Sequence, residues 1–304
     1  MLDNLELNAL LGQFELNGHI IGIILKELVR RAVSTIRTER FIFEAQAKEG
    51  YSGKLDDIVT SADRAAQAVY VKSLRECFPA FGIVAEEENL RVNCTHPSVN
   101  IYFTVDPLDG TKAFSRRQSH GIGTMIALVC SGHVIAAYVG DVMTQEIYGF
   151  RPGSEKVHRV SESDFFEQLT INPVKPLVEQ IVILRELPSK YPEEIRNLID
   201  PGHQDEKVFR NAEVMSGSIG TTFARLWKGE AVATVYPPHH YTPWDMTPIL
   251  GISEKLGFLF LRYNKEKNHF EKSPMPVSTE VEDKGEGLFV IHEAYLSHLN
   301  SCLA

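Results

Sequence analysis

Two carboxylates separated by two residues form the feature of this 304-residue sequence with the clearest chemical meaning. Residues 106–111 read Asp-Pro-Leu-Asp-Gly-Thr. Mg²⁺ prefers oxygen ligands, usually one or two carboxylates together with substrate phosphate and water, so Asp106 and Asp109 are candidate magnesium ligands. Gly110 and Thr111 would supply backbone N–H groups at the start of a helix, where phosphate oxygens are favoured. The segment therefore indicates a site that binds a cation and a phosphate together.

The same segment is compatible with a simple turn, because Asp-Pro and Asp-Gly are both frequent in turns. Its neighbourhood favours the metal site. An alternating, β-rich run at residues 101–105 ends at Asp106, and an earlier β-like run at 81–85 is followed by Glu86-Glu87-Glu88. Acidic side chains at the ends of two strands can converge on one cation.

A further acid lies far along the chain, where Asp245 follows Trp244 and precedes an apolar run at 249–256. Taken alone, an Asp in this position predicts a helix N-cap, and three consecutive acids after a strand predict a solvated edge. Only their combination with residues 106–111 indicates a shared metal site.

Helices and strands must bring these acids together. A first long helix is predicted from apolar residues at helical spacing, namely Ile23, Leu25, Leu28, Val29, Ala32, Val33 and Ile36. A second is predicted from Ser61, which can cap it, to Phe78, with Asp63 in its first turn. Alternating runs at 121–130 and 133–141, with Ser131-Gly132 as a hairpin turn, and a strand at 145–150 predict an antiparallel meander.

A polar stretch at residues 153–167 is expected to separate this meander from a second half. That half is predicted to contain strands and helices in alternation: strand 180–184, helix 191–199, helix 219–227 opened by Ser218, strand 231–235, a helix after Asp245, and strands at 258–262 and 288–292. The pattern indicates mixed helix and sheet layers.

Composition is that of an ordinary enzyme. The hydrophobic content is 43% and the net charge is -9, which argues against a nucleic-acid surface as the main function, since that would need clustered Lys and Arg. The start of the chain shows no targeting segment, and no run is long and apolar enough to cross a membrane. Free thiols and a cytoplasmic location are expected, because no Cys-x-x-Cys pair occurs among Cys77, Cys94, Cys130 and Cys302.

Five segments together resemble the inositol monophosphatase superfamily of magnesium-dependent, lithium-sensitive phosphomonoesterases. They are, in order, residues 57–63 (Asp-Ile-Val-Thr-Ser-Ala-Asp), Glu86-Glu87, residues 106–111, Gly217-Ser218 and Trp244-Asp245. The resemblance implies a layered αβαβα sandwich of the inositol monophosphatase and fructose-1,6-bisphosphatase type. Residues 1–168 would form an N-terminal α+β half with most metal ligands, and residues 169–304 a C-terminal α/β half that closes the site and contributes substrate contacts.

The resemblance also implies the ligands of two or three Mg²⁺ ions. Glu86, Asp106 and the main-chain carbonyl of Leu108 would bind the first ion. Asp106, Asp109 and Asp245 would bind the second, with Asp106 bridging.

Catalytic and substrate-binding roles are implied in the same way. Asp63 would hydrogen-bond the hydroxyl of Thr111, and this pair, with Glu86, would orient and deprotonate a metal-bound water. The expected substrate contacts are Gly110, Thr111, Gly217, Ser218, His239 and His240.

Several positions depart from the family pattern. Pro238 stands where an acidic residue is associated with recognition of inositol hydroxyls, and the lysine common before the Asp-x-Val-Thr segment is displaced to Lys54. The expected substrate is a small phosphorylated metabolite, with inositol 1-phosphate as the default. Adenosine 3',5'-bisphosphate, as for a 3'(2'),5'-bisphosphate nucleotidase, fructose 1,6-bisphosphate and histidinol phosphate stay open. A homodimer is expected. The alternative of another class is an RNA- or polymerase-associated binding protein.

Overall fold

The structure is a computed structural model that describes residues 4–50, 53–55, 57–173, 175–199, 208–282 and 287–303. Its helices are α1 Asn4–Gly12, α2 Gly18–Glu39, α3 Ser61–Cys77, α4 Thr111–Ser115, α5 Glu193–Ile199, α6 Ile219–Trp227, α7 Pro243–Lys255 and α8 Leu296–Ser301. Within these ranges, no helix combines the length and apolar character that crossing a membrane requires.

The strands of the first half are β1 Ala45–Lys48, β2 Asp57–Thr60, β3 Gly82–Ala85, β4 Arg91–Val92, β5 Ile101–Asp109, β6 Gly123–Cys130, β7 His133–Asp141, β8 Ile147–Phe150, β9 His158–Val160 and β10 Phe166–Gln168. Those of the second half are β11 Ile181–Leu184, β12 Asn211–Val214, β13 Ala233–Tyr236, β14 Phe258–Asn264, β15 His269–Lys272 and β16 Leu288–His292.

Two large sheets organise the described chain. The first has the order β10-β9-β8-β7-β6-β5-β3-β4 and the second the order β12-β11-β13-β16-β14-β15, while β1 and β2 form a separate hairpin. Strands β5 to β8 pair antiparallel, as the predicted meander requires. The hairpin turn has positive φ at both Ser131 (49°) and Gly132 (78°), which matches the right-handed twist of the flanking strands.

Helices separate and cover the two sheets. Helices α2 and α3 pack on one face of the first sheet, and α6 and α7 lie between the sheets, in contact with both. Helices α5 and α8 contribute Ile195, Leu198 and Leu299 to the apolar cluster on the outer face of the second sheet. The layers therefore alternate αβαβα, and the predicted architecture is confirmed.

The first long helix shows how local sequence sets this packing. Asn17 caps α2, since its side chain accepts from the backbone N–H groups of His19 and Ile20. Its buried stripe includes Leu25, Leu28, Val29, Ala32, Val33 and Ile36, as predicted. The prediction was wrong for Ile23, which is 51% exposed because it lies one residue off this stripe.

Two other predictions need correction. Thr60, and not Ser61, caps α3, because Thr60 and Asp63 bond each other's backbone N–H groups in a capping box. The polar stretch at 153–167 is not a plain linker, since it contains β9 and the start of β10, which extend the first sheet to its edge.

Candidate functional site

A bulge in β5 places the two acids of residues 106–111 on the same side of the sheet. Asp106 pairs with Met125 of β6 and Asp109 with Gly123, so β5 carries one extra residue at Pro107-Leu108. Residues three apart in a regular strand point to opposite faces, and one extra residue restores a common face. The strand therefore continues through Asp109, whereas the sequence predicted its end at Asp106.

Asp109 also anchors the first turn of α6. It accepts hydrogen bonds from the Ser218 hydroxyl and from the backbone N–H groups of Ile219 (3.0 Å) and Gly220 (2.7 Å). A carboxylate is favoured there because the helix N-terminus has orphan donors and a positive dipole end. This contact ties the strand of one sheet to a helix of the other half.

Asp245 enters the site from α7. Thr242 caps this helix, since its hydroxyl oxygen faces the backbone N–H of Asp245, so Asp245 itself lies inside the first turn and is not the cap. The preceding Trp244 is buried in a small cluster with Val84 and Tyr102 of the first sheet. That burial holds the neighbouring carboxylate over the ends of β3 and β5.

Carboxylate oxygens of Asp106, Asp109 and Asp245 all lie within 4.8 Å of one another. Asp106 is 2% exposed, and its Oδ1 is buried with no hydrogen-bond partner among the described residues. Burial, together with the charges of Glu86 and Asp109, raises the pKa of Asp106 well above its usual value. Burial and the charge of Asp245 raise the pKa of Asp109 to about 6. An all-oxygen cluster with an orphaned buried oxygen fits a hard divalent cation.

Glu86 borders this cluster and is paired with a lysine from the β1–β2 hairpin. Lys48 Nζ lies 2.9 Å from Glu86 Oε1 and 3.0 Å from Glu87 Oε1. Burial opposes the charge of Lys48, but the two glutamates outweigh it and raise the lysine pKa. The resemblance to the family assigned the lysine before the Asp-x-Val-Thr segment to Lys54, but Lys54 is exposed. Lys48 was missed because the hairpin that directs it inward has no sequence signal of its own.

We expect Lys48→Gln to lower the free energy of unfolding of the metal-free protein by about 1 to 3 kcal/mol, the cost of leaving buried charged groups unpaired. Added Mg²⁺ should recover part of this loss, since a cation would again neutralise the acids. Urea titration with and without Mg²⁺ measures both effects. Lys54→Gln is the matched control, and an equal loss in that variant would contradict the assignment.

Asp63 and Thr111 meet beside the cluster, as the resemblance implied. Thr111 Oγ1 lies 3.0 Å from Asp63 Oδ1 and 3.1 Å from the Leu108 carbonyl oxygen. Asp63 Oδ2 accepts from the backbone N–H and the hydroxyl of Thr60. Burial raises the pKa of Asp63 to about 6 despite these donors. A hydroxyl that donates to this carboxylate keeps its lone pairs free to accept a hydrogen bond from a third group.

A cavity of about 410 Å³ opens over these groups. Its walls include the expected site residues Glu86, Asp106, Leu108, Asp109, Gly110, Thr111, Gly217 and Asp245. Gly110 has a φ of 91°, and a Cβ there would lie 2.3 Å from the Gly121 carbonyl oxygen. Only glycine therefore fits at the point where β5 turns into α4.

The backbone hydrogen bonds around Ser218 leave it no N–H group for a substrate. Gly217 and Ser218 are both expected substrate contacts, but the Ser218 N–H donates to the Gly121 carbonyl (2.8 Å) and is not free to bind a substrate. The next N–H groups donate to Asp109 and to the Ser218 hydroxyl. Gly217 still lines the cavity, so of this pair only Gly217 borders the space for a substrate.

His239 and His240 are not among the residues that line this cavity. His239 Nδ1 lies 2.9 Å from the Pro237 carbonyl, and its Nε2 is buried with no partner among the described residues. Burial lowers the pKa of His239. Their role as substrate contacts stays a prediction. Arg185 lines the cavity and was missed by the sequence reasoning, because nothing near it resembles a motif.

The sequence model of the inositol monophosphatase family matches residues 21–299. The Nus factor SuhB of Salmonella typhimurium is 33% identical over 93 residues, which are 31% of this chain and 33% of that protein. The chain thus matches a third of that relative's length. The histidinol-phosphatase of Chlorobaculum parvum is 25% identical over 221 residues, 71% of this chain and 76% of that protein.

Solved structures share the fold. An IMPase/NADP phosphatase complexed with Mg²⁺ and phosphate superposes with a TM-score of 0.65 at 16% identity, and the alignment covers 93% of this chain and 94% of that one. At this identity the likeness concerns the fold alone.

Proposed function

The chain belongs to the inositol monophosphatase family, and from this premise we propose that it hydrolyses a small phosphomonoester with the help of Mg²⁺. The observation that carries the proposal is the cluster of Asp106, Asp109 and Asp245, whose ligand atoms lie within 4.8 Å of one another in a cavity wall. The histidinol-phosphatase relative supports the same chemistry, and the solved structure of a similar fold shows that this fold can hold Mg²⁺ and phosphate.

The ligands of two or three Mg²⁺ ions would be Glu86, Asp106, the Leu108 carbonyl, Asp109 and Asp245. Bound Mg²⁺ would lower the pKa of a coordinated water and stabilise the charge of the phosphoryl group during transfer.

The chain's own groups would manage the proton of the attacking water. The Thr111 hydroxyl donates to Asp63 Oδ1, so its oxygen can accept a hydrogen bond from that water. Glu86 would orient the water from the other side. Gly110 keeps the backbone close enough to the cavity for the phosphate to approach the start of α4.

Substrate choice should be broad. Pro238 cannot accept hydrogen bonds from ring hydroxyls, and an unmade pairing of this kind costs about 1 to 3 kcal/mol, or roughly tenfold to a hundredfold in kcat/KM. We therefore expect several phosphomonoesters to be hydrolysed, with weak preference for inositol 1-phosphate over glycerol 2-phosphate or a nucleoside monophosphate.

A panel of these phosphomonoesters, assayed for released phosphate with Mg²⁺, tests the proposal. A preference for inositol 1-phosphate above about a thousandfold would contradict weak discrimination, since it exceeds the contribution of the missing contact. No Mg²⁺-dependent release from any member of the panel would contradict the proposed function itself.

Other activities remain candidates within this chemistry. They are those of a 3'(2'),5'-bisphosphate nucleotidase, a fructose-1,6-bisphosphatase or a histidinol-phosphatase. A role as an RNA- or polymerase-associated binding protein belongs to another class, and the Salmonella relative is named a Nus factor. The full set of acids with the Asp63–Thr111 pair favours catalysis, because a binding protein has no physical need for it.

The proposal also covers the division of the chain into two halves, its inhibition by lithium, its oligomeric state and its location. Residues 1–168 would carry most metal ligands, and residues 169–304 would close the site through Asp245. Lithium sensitivity, a homodimer and a cytoplasmic location stay predictions.

A further inference from the structure

We propose that the substrate carries a second anionic group, a phosphate or a carboxylate, and that Arg185, in the wall of the cavity, binds it. This inference rests on the proposed function, because it names the class of phosphomonoester that the same site takes.

Arg185 lies where ligands bind in open α/β sheets. Strands β11, β12 and β13 run parallel, and Arg185 directly follows β11 at their carboxyl ends. Glu186, Ser216 and Gly217, which follow β11 and β12, border the same cavity as the metal-binding acids. The crevice outside the carboxyl ends of parallel strands is the usual ligand position in such sheets.

The backbone holds Arg185 in place. Its N–H lies 3.1 Å from the Val235 carbonyl oxygen and 3.0 Å from the hydroxyl oxygen of Tyr191. The Tyr191 hydroxyl donates in turn to the Val235 carbonyl, at 2.9 Å. The main chain at Arg185 is therefore held in one conformation, so ligand binding does not have to order it and costs less conformational entropy.

The guanidinium of Arg185 lacks a partner on one side. Its Nη1 is buried with no hydrogen-bond partner among the described residues, and the positive charge of Arg185 partly offsets the rise in the pKa of Asp109. A buried charged donor without an acceptor is costly, and an Arg is suited to bidentate recognition of phosphate or carboxylate. The missing acceptor fits an anionic group of a ligand.

Other charges of the cavity agree with this assignment. Lys112 and Arg116 line the same space, and Lys112 lies 3.8 Å from Asp57. Both are exposed, so their contribution is mainly long-range attraction. Glu186 is also exposed and acts in the opposite direction, but solvent screens it more than the buried Nη1.

The donors and the size of the cavity agree with this assignment. Arg185, in the cavity wall, offers hydrogen-bond donors and no acceptor. A cavity of about 410 Å³ is within the range of small-molecule sites, about 300 to 1,000 Å³. A compact bis-anionic metabolite suits this wall better than a polyol with one phosphate.

Matched substrate pairs test the inference. Each pair differs by one anionic group: fructose 1,6-bisphosphate against fructose 1-phosphate, adenosine 3',5'-bisphosphate against adenosine 3'-phosphate, and 2-phosphoglycerate against glycerol 2-phosphate. We expect wild-type kcat/KM to favour the first member of at least one pair by about tenfold to a hundredfold, the scale of a hydrogen bond to a charged group. The third pair separates a carboxylate from a second phosphate.

Arg185→Gln should reduce kcat/KM at least about ten times more for the preferred bis-anionic substrate than for its mono-anionic partner, mostly through KM. Arg185→Lys should recover part of the preference, since it keeps the charge without the planar fork. Arg196→Gln, which removes an exposed arginine of α5, is the control and should leave the preference intact.

The outcomes separate this inference from the proposed function. Hydrolysis without preference in any pair, or an equal loss on both members in Arg185→Gln, overturns the role of Arg185 and leaves the phosphatase proposal standing. If no substrate is hydrolysed, the proposed function fails, and calorimetric binding of adenosine 3',5'-bisphosphate and adenosine 3'-phosphate in Mg²⁺ still decides about Arg185. Equal affinity for the two nucleotides would overturn it.

Discussion

Replacing Asp106 with Asn should lower kcat at least about a hundredfold, the scale of losing one key electrostatic contact, and should weaken Mg²⁺ binding strongly. The side chain is 2% exposed, its Oδ1 has no partner among the described residues, and one of its carboxylate oxygens lies within 4.8 Å of oxygens of Asp109 and Asp245. An amide has similar shape but no charge to hold a cation. Steady-state phosphate release and calorimetric titration with Mg²⁺ measure the two losses.

Asp164→Asn is the control for this variant, because Asp164 lies in an exposed ion pair with Arg30 and has no contact with the site. A chelator should abolish activity in the wild type, and added Mg²⁺ should restore it. Near-wild-type turnover of Asp106→Asn, with its fold intact by circular dichroism, would remove Asp106 from the metal site.

Thr111→Ala should lower kcat about a hundredfold or more, within the range of general acid–base effects, while the affinity for Mg²⁺ changes little. The variant removes the hydroxyl and the γ-methyl group, and this hydroxyl bonds Asp63 and is not a proposed ligand. Thr111→Ser keeps the hydroxyl and should retain most of the activity. Kinetics and metal titration on both variants provide the comparison.

A double mutant extends this test to the pair. Asp63→Asn should resemble Thr111→Ala in kcat, and the double variant should be no slower than the slower single one, since groups that act as a unit are non-additive. Asp63 also belongs to the capping box of α3, so its variant must be compared at a temperature well below its own melting point. Equal loss of metal affinity and rate in Thr111→Ala would instead make this residue structural.

The sequence predicted the main layers because their periodicity is local. Apolar residues at helical spacing identified α2, and alternating runs with a Ser-Gly turn identified β6 and β7. Short edge strands such as β10, β12 and β15 were not predicted, since a strand of three or four partly exposed residues has little periodic pattern. Their pairing depends on neighbours that are distant in sequence.

The residues of the candidate site also fall into two groups, those that the sequence predicted and those that it did not. Asp106 and Asp109 were found through a compact segment with a chemical meaning of its own. Lys48 and Arg185 were missed, because each acquires its meaning only when the fold brings it beside acids or into a cavity from another strand. The hydrogen bonds from the first turn of α6 to Asp109 could not be predicted either, since the Ser218 hydroxyl and its acceptor are 109 residues apart in the sequence.

The anchoring of α6 by Asp109 limits how that carboxylate can serve a metal. A carboxylate has about four lone pairs, two on each oxygen. Oδ2 uses both of its pairs for the Ser218 hydroxyl and the Gly220 N–H, and Oδ1 uses one for the Ile219 N–H. One lone pair is left, so Asp109 can serve a single ion as a one-atom ligand. Any carboxylate shared between two ions must then be another acid, and Asp106, with its unused Oδ1, has the capacity.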